Sequence, residues 1–326
     1  MDKKRILSGM RPTGKLHIGH YVGALENWVT LQDEYQNFHL IADYHVLTTT
    51  LNTDDIYQNS IDMMIDWLAA GLDPQKSLMF RQSQIKEHAE LNLILSMLIT
   101  VNRLERNPTL KDQVRDLNIE HIIFGHLGYP VLQTADILLY KGDIVPVGED
   151  QVPHVEISRE IARKFNNQYG NVFPEPEPRL SKFARLPGLD GDAKMSKSLG
   201  NTIFLSDEPE MVKAKLKKAV TDPNKIRKGD PGNPEICLVF AYHKKFNPNE
   251  IKEVEAGCRS GALGCFDCKM NCASKISSFL APIIEKRKYY ENNLPLIKDI
   301  LADGELKAKK IAVVTMTEVH DKMKLG

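Results

Sequence analysis

Short apolar segments alternate with amphipathic helical segments through the first half of this chain, and this alternation strongly limits its fold class. Between two of the apolar segments, residues 54–70 carry Ile56, Ile61, Met64, Ile65 and Leu68 at helical spacing on one broad face. Strands that alternate with helices predict an α/β domain with a parallel sheet of Rossmann type. The predicted strands are Arg5–Ser8, His39–Asp43, Ser77–Arg81 and Ile144–Val147.

Strand signals end at about residue 206, and the pattern after it is helical. A chain of 326 residues is long enough for two domains. We therefore predict a Rossmann-type domain over 1–206, in which 173–189 form a loop, and an all-helical domain over 207–326. The predicted helices of the second domain cover 209–220, 248–257, 272–290 and 293–302.

Composition narrows the class of partner and the compartment. The formal net charge is zero, so any nucleic-acid surface must be a local basic patch. Lys213–Lys218 and Lys225–Lys228 are the candidates, although a solvated helix face is the simpler interpretation of any one lysine there. The N-terminus has no apolar signal core, and no apolar run approaches the roughly 18 residues of a membrane span. We expect a cytoplasmic protein without a membrane partner.

Two segments contain the best candidates for binding a phosphate or another polyanion. The first, Arg11–His20, reads R-P-T-G-K-L-H-I-G-H. Its Pro and Gly residues shape a tight loop before a helix N-terminus that offers unpaired N–H groups to phosphate. The second, Lys194–Ser198, reads K-M-S-K-S in a glycine-flanked loop that can bring two ammonium groups onto a polyanion. Taken singly, the first could be a polar pair or a metal half-site, and the second a solvated basic turn.

Together the two segments resemble the paired signatures of class I aminoacyl-tRNA synthetases. The resemblance implies that His17, His20, Lys194, Ser196 and Lys197 are catalytic, and that Mg²⁺ accompanies ATP. Pantetheine-phosphate adenylyltransferases share the two-histidine turn but usually carry a different second motif. The implied ATP-binding residues are Arg11, Pro12, Thr13, Gly19, His20, Gly148, Glu149, Asp150, Leu186, Lys194, Met195, Ser196, Lys197 and Ser198.

The stretches Tyr129–Tyr140 and Asp143–Gln151 look like those of the tryptophan-specific members. A helix would align Tyr129, Gln133 and Asp136 on one face. By the resemblance, Asp136 accepts the indole N–H, a group that can only donate; membership of a structural ion pair is the alternative. The implied tryptophan-binding residues are Leu7, His45, Tyr129, Gln133, Asp136, Val145, Val147 and Gln151.

Tyrosine-specific members are the nearest competitor because they share the Tyr-x-x-x-Gln-x-x-Asp spacing. They carry a tyrosine where this chain has Leu7, and a Gly-Ser-Asp-Gln-type loop where it has Gly148–Gln151. Hydroxyl recognition needs dedicated polar groups, so an apolar Leu7 favours indole. Many tryptophan enzymes have Phe at the position of Leu7 and Met at that of Gln133. This chain departs from them at both positions, which affects the details of the predicted pocket and not the assignment to the tryptophan-specific members.

All five cysteines lie between Cys237 and Cys272, and the first four follow the pattern C-x20-C-x6-C-x2-C. In a reducing compartment this pattern favours a metal site, either tetrahedral zinc or a 4Fe–4S cluster, over disulfides. Buried structural cysteines are the alternative. A subset of bacterial tryptophan enzymes carries nearly this pattern with a 4Fe–4S cluster near the anticodon-recognition region. That resemblance implies ligation by Cys237, Cys258, Cys265 and Cys268, with Cys272 spare.

The implied activity is a two-step tryptophan–tRNA ligase reaction, with ATP, L-tryptophan and tRNA(Trp) as partners. The 1–206 domain would be catalytic, and the 207–326 domain would recognise the anticodon. The family also implies a homodimer, to which the apolar helices from about Glu90 to Leu139 would contribute. A tyrosine enzyme, a non-catalytic RNA-binding paralogue and a metal-sensing protein on the same scaffold remain alternatives.

Overall fold

The protein is represented by a computed structural model that describes residues 3–111, 121–180, 186–191, 195, 197 and 199–325. Its sheet has five parallel strands in the order β3-β2-β1-β4-β5, which confirms the predicted α/β class with a parallel sheet. The strands are β1 (Arg5–Met10), β2 (Gln36–Ile41), β3 (Ser77–Arg81), β4 (Ile144–Val147) and β5 (Glu177–Leu180).

The strand order creates a crevice at the carboxyl ends of β1 and β4. The chain leaves β1 toward β2 and β3 on one side, then crosses to β4 and β5 on the other. In open parallel sheets, ligands bind at such a point of reversal. Residues 11–13 follow β1 directly and residues 148–150 follow β4 directly, so the topology brings these two predicted ATP-binding segments to one edge.

The fifth strand corrects the prediction of an uninterrupted loop over 173–189. Val145 lies opposite Pro178 and Val147 opposite Leu180 in a parallel pairing. Sequence patterning misses β5 because edge strands tolerate proline and need no continuous apolar run.

Two compact units divide the chain. The first comprises 1–14, 27–182 and 293–326, and the second comprises 15–26 and 183–292. The helices within the first unit are α3 (Asp43–Val46), α4 (Ile56–Ala70), α5 (Glu87–Ser96), α6 (Val101–Glu105), α7 (Phe124–Leu139), α8 (Val152–Tyr169) and α13 (Leu294–Met323).

The second unit is helical, as predicted for most of the region after residue 206. Its helices, with those of the segment that joins it to the first unit, are α1 (Ile18–His20), a π-helix (Tyr21–Leu25), α2 (Glu26–Leu31), α9 (Pro209–Lys218), α10 (Leu238–Phe246), α11 (Ile251–Ser260) and α12 (Cys265–Glu291). Among the described residues, no helix combines the length and apolar character needed to cross a membrane.

Helix α13 makes this division differ from the single boundary predicted near residue 206. The prediction ends this helix at residue 302, whereas the helix continues to Met323 and packs against β3, α4, α5 and α7 of the first unit. A Cβ atom at Gly304 would lie only 1.9 Å from the carbonyl oxygen of Met79. The glycine therefore allows the backbone of α13 to approach β3 closely. Local sequence patterns do not reveal this contact.

The core lies between the sheet and its helices. One face of the sheet contributes Leu7, Phe38 and Val145 to a large buried cluster with apolar residues of α7, α8 and α13. Asp136 is carried by α7, so the core places a carboxylate among apolar side chains.

Candidate active site

Asp136 is the centre of a buried hydrogen-bond network in the first unit. Its Oδ1 accepts hydrogen bonds from Gln82 Nε2 at 2.7 Å and from His88 Nδ1 at 2.6 Å, and its Oδ2 pairs with His45 Nε2 at 2.8 Å. Only 2% of Asp136 is exposed. Burial raises the pKa of Asp136, but the hydrogen bonds from His45 and His88 outweigh burial and keep the pKa below the ordinary carboxyl value.

The groups that contact Gln82 and His88 on their other sides help to determine which of their atoms donate to Asp136. Tyr44 N donates to Gln82 Oε1 at 3.1 Å, so the Gln82 amide nitrogen must face Asp136. His88 Nε2 lies 2.9 Å from the Tyr140 hydroxyl, and burial raises the pKa of Tyr140 well above its ordinary value. The ionised Asp136 can only accept, so His88 donates from Nδ1, and Nε2 of a neutral ring then accepts from the Tyr140 hydroxyl.

The described residues leave one acceptor position on Asp136. A carboxylate offers roughly four lone-pair positions, two on each oxygen. Gln82 and His88 occupy both positions of Oδ1, and His45 occupies one position of Oδ2. The remaining position on Oδ2 suits a single donor, and an indole N–H is such a group.

The predicted tryptophan-binding residues all lie in the first unit. Leu7 and Val145 are buried in the same cluster as neighbours of Asp136 on α7, and Val147 packs against that cluster. The rings of His45 and Tyr129 meet edge to face, with 5.6 Å between their centroids. Gln133 Oε1 is buried, and the described residues provide it with no hydrogen-bond partner.

Gln82, His88 and Tyr140 were not among the predicted site residues. Gln82 follows β3 directly, and polar residues at the carboxyl ends of parallel strands are a recognisable signal. His88 lies in the first turn of α5, where no local pattern distinguishes it from a surface histidine. Only the packing of α5 against α7 brings it to Asp136.

The first nucleotide-binding motif folds as a tight turn before α1. His17 is buried, and its ring centroid lies 3.7 Å from that of His20. The backbone N–H of His17 donates to His20 Nδ1 at 3.2 Å, which leaves the proton of a neutral His20 on Nε2. The two histidines therefore act as a single polar face of the first turn, as their spacing predicts.

The two motifs meet at Gly19 within the second unit. A Cβ atom there would lie 2.9 Å from His17 Nδ1 and 3.1 Å from Met195 Sδ. Ile18 N also donates to Ile203 O at 2.9 Å, so the chain that follows the second motif pairs with the first. Leu186 and Met195 are buried and Lys197 is partly exposed. Lys194, Ser196 and Ser198 lie outside the described residues.

The turn after β4 carries the remaining predicted ATP-binding residues. Gly148 leads into the single-turn helix Glu149–Gln151, in which Glu149 and Asp150 are exposed. A Cβ atom at Gly148 would lie 2.8 Å from Asp150 Oδ1. Gln151 Nε2 donates to Asp150 Oδ2 at 3.1 Å, so this amide is directed along the turn.

The cysteines lie at helix ends of the second unit. Cys237 precedes α10, Cys258 lies in the last turn of α11, and Cys265 and Cys268 lie in the first turn of α12. Burial, and then the nearby Cys237, Cys258 and Cys265, raise the pKa of Cys268 to about 12. Across the described parts of the chain, no three His, Cys, Asp or Glu residues are grouped so that they could hold a metal ion.

Comparisons with known proteins identify the family of this chain. The model of the family "tRNA synthetases class I (W and Y)" matches residues 2–281. The chain is 49% identical to the tryptophan–tRNA ligase of Thermotoga maritima, over 98% of this chain and 99% of the relative. It is 45% identical to that of Aquifex aeolicus, over 98% of this chain and 100% of the relative.

A solved structure agrees as well. The tryptophanyl-tRNA synthetase of Campylobacter jejuni, in complex with ADP and tryptophan, matches with a TM-score of 0.87 and 37% identity. The match covers 98% of this chain and 100% of that one. The predicted family is confirmed, and the chain belongs to the class I tRNA synthetases of the tryptophan and tyrosine group.

Proposed function

We propose that this chain is a tryptophan–tRNA ligase, which activates L-tryptophan with ATP and transfers it to tRNA(Trp). The observation that carries the choice of amino acid is the buried, ionised Asp136 with one acceptor position left on Oδ2. An indole N–H fills that position, whereas the hydroxyl of tyrosine would need further dedicated polar groups beside an apolar Leu7. The compartment we propose is the cytoplasm.

In the first step, the tryptophan carboxylate attacks the α-phosphorus of ATP, and pyrophosphate leaves. Catalysis requires alignment and stabilisation of developing charge rather than acid–base chemistry. The close pair of His17 and His20 supplies hydrogen-bond donors to the oxygens of the α-phosphate, and Lys194 and Lys197 supply positive charge to pyrophosphate. Mg²⁺ would be bound mainly by phosphate oxygens and water.

Amino-acid-dependent ATP–pyrophosphate exchange, measured across all twenty amino acids, tests the function. We expect exchange with tryptophan and background rates with tyrosine and phenylalanine. Equal exchange with tyrosine would contradict the role of Asp136, and absence of exchange with every amino acid would contradict the activity itself.

The cysteine group is proposed to hold a 4Fe–4S cluster through Cys237, Cys258, Cys265 and Cys268. Burial, and then the neighbouring cysteines, raise the pKa of Cys258 and of Cys268, so these two thiols need a positive centre to become thiolate ligands. Four thiolates suit either a tetrahedral zinc ion or a 4Fe–4S cluster, and the resemblance to cluster-bearing tryptophan enzymes favours the cluster. The fifth thiol, Cys272, is buried one turn further along α12.

The backbone around the thiols is consistent with this proposal. A Cβ atom at Gly232 would lie 2.8 Å from Cys258 Sγ, so only glycine leaves the sulfur room on that side. The buried Lys225 donates to Leu263 O at 2.9 Å, and its charge lowers the pKa of Cys258 against the larger effect of burial.

Protein purified without oxygen is expected to be brown and to contain iron and labile sulfide. Cys258→Ser should abolish the colour, because it removes one of the four thiolate ligands, whereas Cys272→Ser should leave it unchanged. Iron and sulfide analysis with the visible spectrum checks both variants. One zinc per chain without iron would contradict the cluster but keep the site, and the absence of any metal would contradict both.

Recognition of tRNA is proposed for the 207–326 region, with a contribution from its basic residues. Lys213 pairs with Glu210 at 2.7 Å, and Lys215 pairs with Asp207, so these two charges are partly compensated. The lysines of 225–228 complete the proposed patch, although Lys225 is turned inward.

The homodimer implied by the family is proposed to use the exposed apolar surface of α5, α6 and the start of α7. Exposed large apolar side chains cluster along this stretch of chain, and such groups mark interaction surfaces. They are Leu93, Met97, Val101, Ile122, Ile123 and Phe124.

Phe124→Asp is expected to weaken the dimer by about 2 kcal/mol or more, or about 30-fold in dissociation constant. Phe124 is 82% exposed and occupies the first position of α7, where an acidic residue favours the helix, so the fold should be retained. Sedimentation equilibrium measures the effect. The control is Val314→Asp on α13, where an equally apolar exposed side chain lies outside the proposed interface. A larger effect at Val314 would assign the interface to α13.

A further inference from the structure

A cavity lies between the C-terminal helix α13 and the start of β1, and its lining residues all belong to the first unit. Its volume is about 320 Å³, at the lower end of the range for small-molecule sites, roughly 300–1,000 Å³. The charged residues of its lining are Arg5, Lys141, Lys310 and Glu318. Three cations and one carboxylate leave a formal charge of +2, in a chain whose net charge is zero, so the cavity favours an anion.

This cavity lies at the edge of the sheet opposite to the predicted ATP and tryptophan sites. Arg5 is the first residue of β1, and Lys141 lies just before the first residue of β4. Because β1 and β4 are parallel, both residues mark the amino ends of these strands. The predicted nucleotide-binding segments follow the carboxyl ends of the same strands. A ligand in this cavity would therefore not occupy the proposed catalytic site.

Two of the cations are oriented by contacts within the unit. The Arg5 guanidinium donates from Nε to Gln36 Oε1 at 3.3 Å and from Nη1 to Tyr140 O at 2.9 Å, which leaves Nη2 for a ligand. Lys141 has a φ of 51°, in the left-handed region that favours glycine, and its Nζ donates to Glu318 Oε2 at 2.6 Å. These two side chains therefore need little rearrangement to bind an anion.

Two further groups of the lining come from α13. Lys310 is exposed, and the described residues give it no carboxylate partner. Thr315 is only 2% exposed, and its hydroxyl has no hydrogen-bond partner in the same part of the chain. Thr317 of the same helix instead donates to Val313 O at 2.9 Å. Buried hydroxyls are normally hydrogen-bonded, so an unpartnered one beside a cavity indicates a ligand that can accept its proton.

A phosphate group meets these requirements better than a carboxylate does. A phosphate monoester carries a charge of about −1.5 to −2 at pH 7 and has three acceptor oxygens, whereas a carboxylate carries one charge and has two. Glu318 would repel an anion, but it uses Oε2 toward Lys141 and can accept a hydrogen bond at Oε1. That position suits a hydroxyl group on the rest of the ligand.

We propose that this cavity binds the phosphate monoester of a small hydroxylated molecule, such as a sugar phosphate. The phosphate accepts hydrogen bonds from Arg5, Lys141, Lys310 and Thr315, and a hydroxyl of the ligand donates to Glu318. Such a ligand would join α13 to the amino ends of β1 and β4.

Isothermal titration calorimetry of the full-length protein tests the ligand class, with ribose 5-phosphate, inorganic phosphate and ribose as probes. We expect ribose 5-phosphate to bind about tenfold more tightly than inorganic phosphate, because only the monoester can donate to Glu318. Ribose should not bind detectably. Constant ionic strength keeps the screening equal. Equal affinities for the two phosphates would overturn the monoester, and no binding of either would overturn the site.

Two variants on α13 test the location. Thr315→Val keeps the shape of the side chain and removes its hydroxyl, and Lys310→Ala removes an exposed charge, so both should fold. Each should weaken ribose 5-phosphate binding about tenfold. Lys307→Ala is the matched control, because Lys307 is an exposed lysine of the same helix that pairs with Asp303 outside the cavity. An equal loss in the control, or no loss in either variant, would overturn the proposal.

Acetylation of lysines in the wild-type protein, mapped by mass spectrometry, locates the ligand without any variant. Ribose 5-phosphate should slow the acetylation of Lys141 and Lys310 and leave that of Lys307 unchanged. Protection of Lys197 without protection of Lys141 and Lys310 would place the phosphate in the proposed ATP site and overturn the second site.

Discussion

Asp136→Asn is expected to weaken tryptophan binding by about 100-fold, the upper end of the range for losing a hydrogen bond to a charged group. Three donors face this side chain, from Gln82, His88 and His45. Tyr44 and Tyr140 hold the first two in their present orientation. An amide that turns its NH₂ toward the indole, Gln82 or His88 meets another donor.

The same clash should lower the free energy of unfolding by roughly 3 kcal/mol, because a buried donor loses its charged partner. Tryptophan binding by equilibrium dialysis and urea unfolding measure the two effects separately. Asp303→Asn is the matched control, since it removes an exposed carboxylate on α13 that pairs with Lys307. Unchanged tryptophan affinity in Asp136→Asn would show that the indole N–H is recognised elsewhere.

Gly304→Val is expected to be the most destabilising single change in α13, with a loss of about 3 kcal/mol or more in the free energy of unfolding. Valine places a branched side chain where a Cβ atom would already lie 1.9 Å from Met79 O. The helix would have to move away from β3, because the backbone carbonyl of a strand paired with β2 cannot swing aside as a flexible side chain can.

Gly128→Ala is the matched control in another helix of the same unit. A Cβ atom at Gly128 in α7 meets nothing within 4 Å, so alanine there should raise stability by roughly 0.5–1 kcal/mol through helix propensity. Thermal and urea unfolding compare the two variants. A stable Gly304→Val protein would mean that α13 does not pack on β3 as described.

The fold class follows from local sequence because a parallel sheet buries whole strands. The segments that became β3 and β4 each contain at least three consecutive apolar residues, and their type and bounds were predicted correctly. β5 was missed because it is an edge strand that contains proline and exposes much of its surface. Its pairing depends on β4, which supplies the hydrogen-bonding partner, and not on its own composition.

The family also follows from sequence, since both nucleotide-binding motifs are contiguous and the match covers residues 2–281. Asp136 was predicted from the same resemblance, and it lies on α7 together with Tyr129 and Gln133. Its partners were not identified. Gln82 and His88 come from two other elements, and no local pattern records which donor will face a carboxylate across a core.

Helix α13 shows the same difference between local sequence and tertiary contacts, here in the division of the chain into units. Asp303 and Gly304 are typical of a turn, and on local propensity the helix ends before them. In the structure it continues through both, because contact with the sheet stabilises the helix by more than the roughly 1 kcal/mol that a helical glycine costs. Periodicity predicts that a segment is helical, but the unit to which a helix belongs depends on which surface it buries, and that surface exists only once β3 has formed.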